Sequence, residues 1–222
     1  MRNYNIHHFG VMALLLAAAT VCAGQTDRIP LENDQVRVVR ALEKPHTKGR
    51  PHKHDVNRVM VYIQAGTHEF SDEKGGKTTL KHKAKDAIWS PKTGIHIPEL
   101  LTDEPVNIIE VELKQPGSGK SATGQLDPVK VDSKHYKVEF ENDQVRVVRV
   151  KFGPHEKTPL HEHFVNRVVV LLTDQNVQVT GADGKVNTAV RKAHEVSWGE
   201  PAKHREENLN STDFEAIMVE LK

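Results

Sequence analysis

The residues ENDQVRVVR stand twice in this chain, at Glu32 to Arg40 and at Glu141 to Arg149, and His-x-His follows each copy at the same interval. A chain that repeats itself at this length folds the same way twice, which narrows the choice to small units that occur in tandem. VNRV recurs at Val56 to Val59 and Val165 to Val168, and VELK at Val111 to Lys114 and Val219 to Lys222. The shared unit therefore runs from Glu32 to Lys114 and again from Glu141 to Lys222, with a register that drifts by one residue. It is far longer than a solenoid repeat and long enough for a small domain.

Within each unit short apolar runs alternate with turn residues, and no window carries a helical stripe. Val168 to Leu172 is a continuous apolar run that suits a strand buried on both faces, with Arg58 to Ile63 as its partner in the first copy. In VRVVRV, Val145 to Val150, the alternation slips phase at Val147-Val148, which predicts a β-bulge or a strand shared between two sheets. Gly75-Gly76 and Gly181 to Gly184 read as turns, and further strands start at Ile88-Trp89 and Val196-Ser197-Trp198. Many short strands at this spacing predict an all-β fold, a small antiparallel barrel or sandwich present twice. The expected domains are residues 27–114 and 133–222, joined by a linker or long surface loop over 115–132, which opens QPGSGKSATGQ.

Residues 1–24 read as an export signal. Arg2 gives a weakly positive start, Val11 to Val21 is apolar, and Val21-Cys22-Ala23 offers the small residues that a signal peptidase reads. The run falls short of the roughly 20 apolar residues that span a bilayer. The expectation is a periplasmic or secreted protein with no membrane association once the signal is removed. Cys22 is the only cysteine and would leave with the signal, so any metal must be held by nitrogen and oxygen. The formal charge is +1, from 31 basic and 30 acidic residues, which argues against a nucleic-acid partner.

The chain has 14 histidines. Four recur in register: His46 with His155, His52 with His161, His54 with His163, and His96 with His204. In a strand, residues i and i+2 leave the same face roughly 6.5 Å apart, from where two imidazoles can converge on one ion. The third histidine follows a strand and a turn, and an antiparallel barrel can return it to the first pair. Three neutral imidazoles leave coordination positions open, the pattern of a reactive or ligand-binding metal. A single His-x-His is commonly an exposed pair on an edge strand; two copies with the same third histidine favour a site.

These histidines carry a resemblance to the cupin superfamily, and specifically to two-domain bicupins. Cupins have a first motif G-x5-H-x-H-x3 or 4-E-x6-G and a second G-x5-P-x-G-x2-H-x3-N. Pro154 to His163 resembles the first and Trp198 to Asn208 the second, keeping His-x3-Asn. In the first copy Pro51 to His54 and Trp89 to His96 match, but Leu100 stands where Asn208 stands. The resemblance covers nearly the whole chain beyond residue 24 and implies two tandem jelly-roll barrels. The family's glutamate ligand is missing from both copies, where Arg58-Val59 and Arg167-Val168 occupy its place. What remains resembles the three-histidine cupins, a group that includes iron-dependent dioxygenases.

The resemblance implies one metal site at His161, His163 and His204 and a second at His52, His54 and His96. It implies a divalent transition metal, Fe(II) in first place, with Mn, Cu, Ni or Zn as alternatives. Arg58 and Arg167 either face the barrel interior, where they would anchor an anionic substrate, or point outward into surface ion pairs. Asn208 is a further candidate for substrate contact, and Asn57 and Asn166 for a weak oxygen ligand. His46 and His155 sit where relatives commonly have a turn glycine and read as loop residues, with a fourth nitrogen at the barrel mouth as the alternative.

The functional expectation is an exported three-histidine Fe(II) dioxygenase-like oxidoreductase acting on a small organic molecule. A non-enzymatic periplasmic metal- or ligand-binding module is the alternative, and a metal-dependent isomerase or lyase a third reading. The C-terminal copy, which keeps Asn208, is the expected seat of function, and a homodimer is compatible with the sequence.

Overall fold

A computed structural model describes residues 28–121 and 123–222; the expected signal, 1–24, lies outside the described residues. The first half contains β1 (Leu31–Glu32), β2 (Val36–Glu43), β3 (His52–His54), β4 (Arg58–Tyr62), β5 (Gly66–Asp72), β6 (Lys77–His82), β7 (Ala87–Ser90), β8 (Thr93–Leu100) and β9 (Val106–Leu113). After a single-turn helix α1 (Pro128–Val131), the second half repeats the series. It comprises β10 (Tyr136–Glu141), β11 (Val145–Phe152), β12 (His161–His163), β13 (Arg167–Leu171), β14 (Gln175–Gly181), β15 (Val186–Arg191), β16 (Val196–Gly199), β17 (Ala202–Asn208) and β18 (Phe214–Leu221).

Each half folds into a five-stranded and a four-stranded antiparallel sheet. The orders are β1-β2-β9-β4-β7 with β3-β8-β5-β6, then β10-β11-β18-β13-β16 with β12-β17-β14-β15. Strand for strand the two topologies are the same, so the chain is all-β and consists of two tandem jelly-roll barrels.

The continuous apolar runs have a direct explanation. In β13, Val169 and Leu171 face their own barrel, where Phe152, Phe214 and Tyr136 fill the interior, while Val168 and Val170 face the other half. The five-stranded sheets of the two halves lie face to face. Val36, Val38, Val59, Val61, Ile109 and Val111 meet Val145, Val147, Val168, Val170, Ile217 and Val219 in one shared core, every side chain within 2% of full burial. Neither face of these sheets lies on the outside of the protein, which is why their strands are valine-rich rather than alternating.

The phase slip at Val147-Val148 has the same cause, and the expected bulge is not there. β11 pairs with β18 in unbroken register from Val145↔Leu221 to Phe152↔Phe214 and belongs to one sheet. Val147 points to the other half and Val148 into its own barrel, both fully buried. The irregularity lies in the neighbouring β10, between Val138 and Phe140.

Polar contacts around the shared core are reciprocal. Arg40 Nη2 donates to the carbonyl of His194 at 2.8 Å, and Arg149 Nη2 to that of Lys85 at 2.9 Å. His194 and Lys85 occupy equivalent turns with φ of 70° and 69°. The Asn57 amide donates to Gln144, and Asn166 Nδ2 to Gln35 Oε1 at 3.3 Å. Gln35, Arg40 and Asn57, with their copies, are the residues of the repeated ENDQVRVVR and VNRV segments. The most faithfully repeated sequence thus builds an internal interface with approximate twofold symmetry.

The stretch 115–132 is only partly a connector. Asp127 is fully buried, caps α1 by accepting from Val129 N, and receives Arg146 Nη2 at 2.8 Å. Leu126 accepts from Glu162 N at 2.8 Å, so the end of this stretch is bound onto the second barrel beside β12.

A shared core couples the stabilities of the two barrels. Each half holds one of the two tryptophans, Trp89 and Trp198. In urea unfolding, Trp89→Phe and Trp198→Phe variants, each reporting on one barrel, should give coincident transitions. Ile217→Ala should move both together, at a cost of about 2–5 kcal/mol. Transitions that separate would mean that the halves unfold independently.

Candidate metal centres

The return of the third histidine is a matter of strand pairing. β3 and β8 are antiparallel neighbours with His52 opposite His96, and β12 and β17 are neighbours with His161 opposite His204. Strand parity then places His54 and His163 on the same inward face. The donor atoms of His52, His54 and His96 lie within 4.8 Å of one another, as do those of His161, His163 and His204. All six expected histidines are thus gathered into two triads.

Backbone carbonyls set the orientation of several rings. His52 Nδ1 lies 2.8 Å from the Arg50 carbonyl, His96 Nδ1 3.0 Å from that of Gly94, and His161 Nδ1 3.0 Å from that of Pro159. A carbonyl only accepts, so each Nδ1 carries the hydrogen and each Nε2 keeps its lone pair. Burial lowers the pKa of His54, His96, His161, His163 and His204. His54 falls to about 3 through burial and the Arg58 charge, His163 to about 2 through burial and the Arg167 charge, and His204 to about 4 mainly through burial. Three neutral imidazoles with converging lone pairs are a donor set that fits a borderline divalent cation.

Both arginines at the place where the resemblance implies a glutamate ligand face inward, which resolves the alternative left by the sequence. They then behave differently. Arg58 Nη1 reaches His54 Nε2 at 2.8 Å and Glu110 at 2.7 Å, and its Nη2 donates to Ser90 Oγ at 2.8 Å. In the second barrel the equivalents of Glu110 and Ser90 are Met218 and Gly199. Arg167 consequently has no carboxylate at that place. Its side chain packs over Gly199, where a Cβ would come within 2.9 Å, and Nη1 donates to the Glu200 carbonyl at 2.6 Å.

The surroundings also differ. The first triad opens onto a cavity of about 540 Å3 that Arg58, Glu110, Tyr62, His68 and Phe70 help to line. The second is buried, with His161 at 0%, His163 at 4% and His204 at 8% exposure. Tyr136, Phe152 and Leu171 occupy the corresponding interior. Tyr136 Oη lies 3.2 Å from His161 Nε2 and donates to Glu206 at 2.8 Å.

Two expectations need correction, and a third, that His46 and His155 are loop residues, holds. Asn208 makes no contact with the triad: its fully buried amide donates to the carbonyls of Gly153 and Thr212, at 3.0 and 2.9 Å, and its oxygen accepts from Asn210 N at 3.1 Å. It clasps loops, and so gives no reason to prefer the C-terminal site. Asn57 and Asn166 are absorbed by the inter-barrel contacts and are not ligands. His46 and His155 are exposed loop residues with φ of 49° and 58°, the left-handed conformation that makes glycine common at such a turn, and His46 Nε2 pairs with Asp103 at 2.7 Å. Neither joins a triad.

Sequence reading missed Glu110, Tyr136 and Glu206. Glu206 stands two residues beyond His204 in a strand, the same parity argument that links His161 to His163, and was open to detection on that ground. Tyr136 carried no such signal.

No protein-family model matches the chain, and no curated protein matches it. Solved structures do. AerE from Microcystis aeruginosa superposes with a TM-score of 0.63 at 12% identity, over 86% of this chain and 88% of that one. The cupin 2 conserved barrel domain protein from Leptotrichia buccalis gives 0.51 at 13% identity, over 86% of each chain. Bacillus subtilis oxalate decarboxylase, in a structure concerned with its Mn(II) centres, gives 0.55 at 13% identity, over 84% of this chain and 69% of that one. At these identities the likeness is one of fold.

The lowered histidine pKa values have a measurable consequence. Each ring is harder to protonate in the folded chain than at its usual value of 6.5, so the unfolded chain takes up more protons below that pH. In metal-stripped protein, stability is complete above pH 6.5 and falls as the pH drops toward about 4. Denaturant titrations at pH 7.5 and 4.5 check this, and His163→Gln should flatten the dependence.

Proposed function

The chain is a bicupin in fold, and from that premise we propose that it is an exported, metal-dependent oxidoreductase of the three-histidine Fe(II) dioxygenase-like kind, acting on a small organic molecule in its first barrel. One observation carries this reading: the first triad sits in the wall of a cavity large enough for a small ligand, about 540 Å3. A divalent cation held by His52, His54 and His96, displacing Arg58 from its 2.8 Å contact with His54 Nε2, would supply a Lewis acid or redox centre with free coordination positions. Oxalate decarboxylase, a fold relative whose structure is described by its Mn(II) centres, supports a divalent metal and keeps Mn(II) beside Fe(II) as a candidate.

The residues around the triad have separable roles. Met60, Phe70, Leu80 and Ile108 give the cavity apolar walls that exclude water from a bound molecule. Arg58 and Glu110, ion-paired at 2.7 Å, place donors and an acceptor beside His54 and orient a polar substrate group. Tyr62, whose hydroxyl burial pushes up to about 12, stays protonated and is a donor rather than a base. The preference for the first barrel departs from the expectation that favoured the second.

A binding role is the second reading, favoured by the closed second triad, which suits an ion that is held rather than exchanged with substrate. Export rests on residues 1–24 and the small-molecule partner on the cavity; neither nucleic acid nor, after signal removal, a membrane is part of the proposal.

Elemental analysis of untagged protein from its native compartment should give at least one divalent metal per chain, and a value below about 0.2 would remove the metal reading altogether. Fe(II)-reconstituted protein should then consume O2 with a member of a panel of small carboxylates, diketones and thiols, and His96→Ala should abolish that uptake. Turnover without O2 would move the assignment to a decarboxylase, isomerase or lyase. Tight metal binding with no turnover across the panel would favour the binding module.

A further inference from the structure

The second barrel holds more polar atoms around its triad than three imidazoles require. Glu206 follows His204 at i+2 on β17, so both side chains leave the strand on the same inward face. Its Oε1 lies 3.9 Å from His204 Nε2, and its Oε2 accepts from Tyr136 Oη at 2.8 Å. Tyr136 Oη is also 3.2 Å from His161 Nε2. The Pro159 carbonyl fixes the His161 hydrogen on Nδ1, and the single Tyr136 hydrogen is directed at Glu206. A tyrosine oxygen and an imidazole lone pair therefore face each other with no proton between them, beside a carboxylate oxygen. Buried acceptors that converge in this way favour a cation among them.

We propose that Glu206 is the carboxylate ligand of the second barrel, supplied from β17 in place of the strand position that Arg167 now occupies, with Tyr136 as its positioning residue. The main chain of Glu206 is clamped on both sides by one residue, since its N–H donates to Thr158 Oγ1 at 2.8 Å and its carbonyl accepts from Thr158 N at 2.9 Å. Arg167 hydrogen-bonds the Glu200 carbonyl and not a triad nitrogen, while its charge still acts on Glu206 and His163. The first barrel lacks the arrangement. Pro98 stands two residues after His96 where Glu206 follows His204, and Arg58 donates a cationic N–H to His54 Nε2, a nitrogen that a metal would need. Both triads feel an arginine charge, but the two barrels are unequal: the second has three histidines and one carboxylate, whereas in the first the guanidinium itself occupies a triad nitrogen. The ligand class is a divalent cation that accepts mixed nitrogen and oxygen donors, such as Mn(II), Fe(II) or Zn(II).

This inference rests on the metal reading above, and the test separates the two. The whole chain carrying His52→Ala and His96→Ala, so that only the second barrel reports, is stripped with chelator and titrated with Mn(II), followed by loss of the free-ion EPR signal. One Mn(II) per chain is expected, with affinity at least about tenfold weaker after adding Glu206→Gln and a smaller loss after Tyr136→Phe. Unchanged affinity in the Gln variant overturns the Glu206 assignment and leaves the metal reading intact; no Mn(II) binding by the parent variant overturns both for this barrel. Should the Gln variant fail to fold by circular dichroism, infrared difference spectra of the parent with and without Mn(II) decide. A carboxylate stretch that shifts on binding is expected, and its absence overturns the assignment.

Discussion

The burial of one five-stranded sheet against another is the interaction on which the rest of the protein depends. Neither barrel could leave its outer valine face, Val36, Val38, Val59 and Val61 in one and Val145, Val147, Val168 and Val170 in the other, open to water. Arg40 and Arg149 each reach over to a carbonyl in the opposite half. The inward faces of the same strands carry Arg58 and Arg167. The interface and the sites are therefore two sides of one sheet, and a register error in β4 or β13 would exchange a site arginine for an interface valine.

Much of this was legible in the residues. The duplication, the strand content, the two histidine triads and the strands buried on both faces all follow from spacing and period. The interface did not, because a one-dimensional pattern shows that a strand is apolar on both faces without saying what covers the second one. The repeated Asn-Arg-Val segment was open to misreading for the same reason: Asn57 and Asn166 repeat because they hold the halves together. Asn208 illustrates a further limit, since a motif match identified the residue while its hydrogen bonds, all to main-chain atoms, assign it to loop structure.

The difference between Arg58 and Arg167 depends on neighbours far away in sequence. Glu110 and Ser90 draw one guanidinium toward the triad; Met218 and Gly199 let the other lie along the backbone. Two substitutions on adjacent strands thus give one residue two electrostatic roles. The ion pair of Arg37 with Glu112 and that of Arg146 with Glu220 show the opposite behaviour, a contact kept in both copies. In the second it gains Asp127 from the connecting stretch.

The reciprocal contacts across the valine core have an evolutionary corollary. A homodimer built on such an interface must carry the same site twice, because any substitution appears in both subunits. Joining the copies in one polypeptide lifts that constraint: Gly199 and Met218 can change beside one triad while Ser90 and Glu110 stay beside the other. Selection can then hold the seam constant and specialise each pocket on its own.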